Sequence, residues 1–272
     1  MTALALVSLC AAIVPARVAA QVTIDDLETH LRLSRPSVKV TSVIPVRNEE
    51  RRSQQVRVSL GDWIRDSVGN NTFLDYSATP ASCGAKLRTF PNTFQIAPGA
   101  TEFVRVEYEA TPADTGCWAI VFVETVAPPP AQPDKQGSFI TIEIRTGVKV
   151  YVHRPEPVRA GKVDGGLVQF AWRQVSPGSA SRDSVRFREA VVRFLNTGTA
   201  HLRVATKVEI RSADNKLLTT VKGPEAAMTP GALRLVHVPL PELPPGEYIA
   251  IMLLDYDGDE IAAAQIEFTV AR

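Results

Sequence analysis

The chain has 272 residues, 45% hydrophobic and 22% charged, with a formal net charge of +1. That length suggests one or two domains, and the near-neutral balance excludes the polyelectrolyte character that nucleic acid or an anionic membrane surface attracts. Twenty prolines and few helix-period segments lean toward an all-β chain.

Residues 1–20, MTALALVSLCAAIVPARVAA, read as an export signal peptide. An apolar run from Ala3 to Val14 is broken at Pro15, and small residues Val18, Ala19 and Ala20 precede Gln21 as a cleavage site. The run is too short for a span of about 20 apolar residues, so cleavage is expected rather than a membrane-spanning helix. Cys10 leaves with the signal, which gives the mature chain two cysteines, Cys83 and Cys117. An even pair in an exported protein reads as a disulfide, worth roughly 3–4 kcal/mol by the chain-entropy estimate; two buried free thiols are the alternative.

Three signatures then occur twice in the same order. The first is an apolar strand ending in Asn: VIPVRN (43–48) and VVRFLN (191–196). A Pro-Gly turn into an alternating strand follows, PGATEFVRV from Pro98 and PGALRLVHV from Pro230. Last comes a Gly and an aromatic opening an apolar strand, GCWAIVFVE from Gly116 and GEYIAIMLLD from Gly246. A period above 100 residues means two copies of a domain rather than a solenoid. Short alternating strands with turn signals between them predict two tandem immunoglobulin-like β-sandwiches, residues 21–154 and 155–272. LVQFAW opens the second and AAAQIEFTV closes it.

Between the copies lie a Pro-rich loop, Val126 to Gly137, and the strand FITIEIRTGVKVYV (139–152). One face of that strand carries Ile140, Ile142, Ile144, Val148, Val150 and Val152; the other carries Thr141, Glu143, Arg145 and Lys149. It is long for a strand. Pro155 and Pro157 then stop pairing and make a short, stiff hinge.

This order resembles the periplasmic pilus-assembly chaperones of the chaperone–usher pathway. Thr146-Gly147-Val148-Lys149-Val150 ahead of Arg154-Pro155 is similar to that family's strand bearing a cleft lysine. VFVETVAPPP is similar to its strand ending in Glu and a double Pro, and LSRPSVKV, with Ser34-Arg35, to its first strand with the other cleft cation. One extra residue between Lys149 and the Arg-Pro pair makes the placement of Lys149 rest on side-chain parity. The resemblance implies an exported, periplasmic chaperone that lends a strand to unfinished pilus or fimbrial subunits and delivers them to an outer-membrane usher. Ile140, Ile142 and Ile144 would be the donor row, roughly 5–9 kcal/mol gross if all three are buried. Arg35 and Lys149 would bind a subunit's C-terminal carboxylate and so fix register, because a one-residue slip turns every side chain to the wrong face.

Other candidates have plainer readings. Asp255, Asp257 and Asp259 lack the bidentate Glu of a calcium loop, and Asp-Gly between apolar runs predicts a hairpin. His30, His153, His201 and His237 are scattered singly with no metal-ligand spacing. Asn70-Asn71-Thr72 reads as a turn and SPGSASRDS around Ser179 as a loop without a nucleophile elbow. With no catalytic constellation, the expectation is a protein without enzymatic activity, cofactor, metal or small-molecule substrate. The alternative class is an envelope or adhesive protein of tandem immunoglobulin-like domains, in which the isoleucines would fill their own core.

Overall fold

The computed structural model describes residues 22–35, 38–112, 114–126, 143–174 and 184–271. The expected signal peptide, Ile140, Ile142, the Pro-rich loop from residue 127 onward and the stretch around Ser179 lie outside these residues. Period-two alternation becomes strand almost everywhere it occurs. The first half forms β1 (Val22–Thr23), β2 (Glu28–Arg32), β3 (Lys39–Asn48), β4 (Gln54–Arg65), β5 (Asn71–Asp75), β6 (Leu87–Phe90), β7 (Thr93–Ile96), β8 (Thr101–Glu109), β9 (Cys117–Val126) and β10 (Arg145–His153). The second forms β11 (Gly161–Gln174), β12 (Ser184–Asn196), β13 (Leu202–Ser212), β14 (Leu217–Lys222), β15 (Ala226–Met228), β16 (Leu233–Pro239), β17 (Gly246–Asp255) and β18 (Ala262–Val270). Among the described residues the helical structure is one 3-10 turn, Gly84–Lys86, and no helix is long and apolar enough to cross a membrane.

The protein is two immunoglobulin-like sandwiches, each of two sheets around its own core. In the first, a sheet ordered β1-β3-β8-β6 faces one ordered β2-β10-β9-β4-β5, with β7 also beside β4. In the second, β11-β12-β16 faces β14-β13-β17-β18, with β15 beside β13. Strand parity sorts the side chains: β3 buries Ile44, Val46 and Asn48 and exposes Val43, Pro45 and Arg47. On β13, Leu202, Val204, Thr206, Val208 and Ile210 are buried in the same way. Each apolar side chain so buried contributes about 1.5–3 kcal/mol.

The sequence repeat corresponds to a repeated polar clamp. Asn48, at the end of β3, donates from Nδ2 to the carbonyls of Arg52 (2.8 Å), Ile96 (3.1 Å) and Ala97 (3.1 Å), and its Oδ1 accepts from Glu50 N–H (2.9 Å). Asn196, at the end of β12, donates to Ala200 O (2.9 Å) and Thr229 O (3.0 Å) and accepts from Gly198 N–H (3.0 Å). Each Asn carbonyl also accepts from the glycine of the Pro-Gly turn, Gly99 or Gly231. Both glycines have φ near +70°, at 69° and 74°, which favours glycine over residues with a Cβ.

The cysteine pair is bonded: Cys83–Cys117, Cα atoms 5.1 Å apart, fastens the 3-10 turn to the start of β9. The DYDGDE stretch is the expected hairpin. It joins antiparallel β17 and β18, with Asp257 at φ 56° and its N–H bonded to Asp255 Oδ1 at 3.0 Å. Residues 154–160 connect the sandwiches, and Val158 O accepts from Thr199 and Ala200, so the end of the connector is tied to the second sandwich.

Candidate functional site: the edge of β10 and the interdomain cleft

The long strand divides into two halves with different neighbours. Val148, Val150 and Val152 are fully buried in the first sandwich's core. From Lys149 to Val152 β10 is paired on both sides, antiparallel to β9 and parallel to β2, whose register runs from Lys149↔Glu28 to His153↔Arg32. Over Arg145–Val148, β9 alone pairs with it among the described residues. Ile144 O accepts from Thr125 N–H and Lys149 N–H donates to Leu27 O. Backbone groups point to alternate sides along a strand, so those of Arg145 and Gly147 face away from β9, toward the open flank. Ile144, immediately before β10, is half-buried.

Beside this flank the outer face of the sheet is aromatic. Trp63, Ile120, Phe122 and Tyr151 form a second buried cluster with Trp118 against it. Two glycines make room for it: a Cβ at Gly61 would meet Phe122 at 2.7 Å, and one at Gly147 would meet Ile120 at 2.6 Å. Leu27, Phe73, Ile120, Phe122, Arg145 and Lys149 line an open groove of about 570 Å³ next to the unpaired flank.

Lys149 projects from this face, half-buried, with Nζ 4.9 Å from the Trp63 ring centroid. Arg65 lies over the same ring at 5.3 Å. Arg203, from the second sandwich, bridges Glu28 and Glu225. Burial pushes the Lys149 ammonium below its usual range; Arg65 and Arg203 push the same way, and Glu28 opposes them. Three cations against two carboxylates, Glu28 and Glu225, leave this cleft with a positive balance that favours an anionic group. Arg35 is not among them. It is exposed and lies beyond the end of β2. That end is level with His153, four positions from Lys149, or ~13 Å along a strand.

Sequence reading therefore places Lys149 in the cleft but misses Arg65 and Arg203. The available signal was an aromatic on the polar parity of a strand: Tyr151 shares its face with Lys149, and Trp63 its face with Arg65. The histidines are the second miss. Parallel pairing of β2 with β10 and docking of the second sandwich gather His30, His153 and His201. Among the described residues no group of three His, Cys, Asp or Glu is placed to hold a metal ion.

No family model matches the chain, and no curated protein does. Among solved structures it is similar to a chain from the chaperone–tip adhesin complex of CFA/I fimbriae biogenesis, at 12% identity and TM-score 0.50, covering 92% of this chain and 98% of that one. The YadV chaperone matches at 11% identity and TM-score 0.47, over 92% of this chain and 100% of that one. A chain from the Salmonella enterica SafA pilin–SafB chaperone complex matches at 13% identity and TM-score 0.44, over 92% and 96%. Two sandwiches, joined end to end around a shared cleft, give this chain the fold of the pilus-assembly chaperones.

Proposed function

We propose that this protein is a non-enzymatic periplasmic chaperone that caps secreted fimbrial or pilus subunits by strand donation and hands them to an outer-membrane usher. The observation that carries the reading is the flank of β10 at Arg145 and Gly147, unpaired among the described residues, next to an apolar groove. An unfinished immunoglobulin-like domain needs one more strand. The flank supplies backbone donors and acceptors that pair with little dependence on sequence, while alternate side chains enter pockets on one face. The donor row is Ile140, Ile142 and Ile144. The buried valines of the lower half keep the ribbon anchored while its upper half is lent. The client's terminal carboxylate is held in the cleft by Lys149, assisted by Arg65 and Arg203, with each sheltered charge-assisted bond worth about 1.5–3 kcal/mol.

The test uses an immunoglobulin-like pilin domain lacking its last strand, mixed with the protein and resolved by gel filtration. A one-to-one complex is expected. Arg145→Pro removes one open-flank N–H without touching the β9 ladder and should lower the complex yield at least tenfold. Arg145→Ala, the control for its lost contacts with Phe122 and Glu124, should retain most of the yield. Equal yields from the Pro and Ala variants would rule out strand addition at this edge.

A further inference from the structure

We propose that the junction between the sandwiches is an acid-sensitive latch, in which His30, His153 and His201 hold the domains together while uncharged and release them when the cluster takes up protons. The inference rests on the geometry of the junction and is independent of the chaperone reading. His30 sits on β2 at the exposed rim, His153 is buried at the end of β10, and His201 precedes β13 of the second sandwich. His30 Nδ1 and His153 Nε2 are 2.8 Å apart, so one neutral ring donates to the other. Protonating both would set two N–H groups against each other.

His201 is the informative member. Its ring stands 4.4 Å from Tyr151, 5.1 Å from His153 and 5.4 Å from Trp118, centroid to centroid. Both its nitrogens are buried and have no hydrogen-bond partner among the described residues. An unsatisfied buried polar group is destabilising. Phenylalanine would fill the same aromatic box without that penalty, so what histidine adds there is the capacity to take a proton.

The surrounding charges favour release on protonation. From β2, Glu28 and Arg32 flank the cluster, and β10 presents Lys149 and Tyr151. The connector contributes Arg159, which is paired with Asp257 of the β17–β18 turn at 3.4 Å. The second sandwich contributes Arg203, and β4 contributes Arg65 and Trp63. Apart from Lys149, these groups and the three rings border an interdomain cavity of about 270 Å³. Glu28, the carboxylate that acts on His30, is already engaged by Arg203.

Burial holds His153 down to about 4 and His201 down to about 3, with the neighbouring histidines acting the same way; His30 is lowered too, mainly by burial. A depressed histidine pKa means the undocked state binds more protons. The latch is therefore at full strength above about pH 6.5 and is lost as pH falls toward the packed-state values. Between those limits each ring weakens the packed state by up to about tenfold per pH unit. Among the described residues the hydrogen bonds and ion pairs across the junction are few: Arg65 Nη1 to Ala227 O at 2.9 Å, Leu235 N to Ser67 O at 2.7 Å, Arg234 Nη1 to Asp66 O at 3.2 Å, and the Arg203–Glu28 pair.

The experiment is a titration of the full chain from pH 8 to pH 4, following histidine protonation by NMR, overall dimensions by small-angle X-ray scattering, and strand content by circular dichroism. The expected result is a constant radius of gyration down to about pH 6. Below about pH 5 the radius should rise, in step with charging of the three histidines and with strand content unchanged. His201→Phe should move that rise to lower pH by at least half a unit, and His153→Gln should shift it downward through a second residue. A radius that stays constant while all three rings charge would overturn the latch. So would a rise at the same pH in the wild type and both variants, which would assign the acid sensitivity to the Glu28–Arg203 ion pair.

Discussion

In the first sandwich Asn48 holds three backbone carbonyls around the Pro-Gly turn, a disulfide fastens β9, and the outer face of the larger sheet carries Trp63, Phe122 and Tyr151. In the second, Asn196 holds two carbonyls at the corresponding turn, and no disulfide is found among its described residues. The outer face of β13 carries Lys207, Glu209 and Arg211 in a run of ion pairs (3.4 and 2.7 Å). The same clamp, strand order and turn therefore support two different surfaces. One sandwich is an ordinary solvated module; the other covers its outer face with rings and leaves a strand edge beside them. The proposed function draws on the features in which the copies have diverged, while the shared ones hold each fold.

The comparison can be broken at several points. The largest effect is expected from removing the disulfide. Cys83→Ala with Cys117→Ala should cost the first sandwich about 3–4 kcal/mol and leave the second unchanged, read as the shift of one calorimetric transition and not the other. The clamps come next. Asn48→Ala orphans three carbonyl bonds and should cost about 3 kcal/mol, whereas Asn196→Ala orphans two and should cost about 2; equal losses would show that the third carbonyl contributes nothing. Lys149→Ala should weaken capture of a strand-deficient subunit by about 1.5–3 kcal/mol, roughly ten- to hundredfold in Kd, without moving either thermal transition. Smallest is Arg35→Ala: an exposed cation beyond β2 should change subunit binding by less than about 0.5 kcal/mol. A loss as large as that of Lys149→Ala would restore Arg35 to the cleft.

Local signals carried most of the fold. Alternation and short apolar runs located β3, β8, β9, β12, β16, β17 and β18, because strand parity depends only on neighbours in sequence. The Asn and Pro-Gly repeats marked equivalent points of two domains, and their meaning as a clamp emerged only from the bonds between them. The lysine of the cleft was legible from parity on its own strand. Arg65, Arg203 and the histidine cluster were not, since each depends on which distant strand lies alongside. His30 meets His153 only because β2 runs parallel to β10, and His201 joins them only when the second sandwich docks. The strand written as 139–152 begins, among the described residues, at Arg145. Its burial pattern separates a structural lower half from an open upper one, a division that alternation alone does not reveal.

Amide hydrogen exchange at Arg145 and Gly147 is the sharpest probe of the proposed lending edge. In the free protein both amides should exchange far faster than those of Val148 and Val150, and a subunit lacking its last strand should slow them at least a hundredfold. Protection of Arg145 and Gly147 already equal to that of the buried valines before any subunit is added would mean the edge is closed, and strand donation from β10 would be excluded.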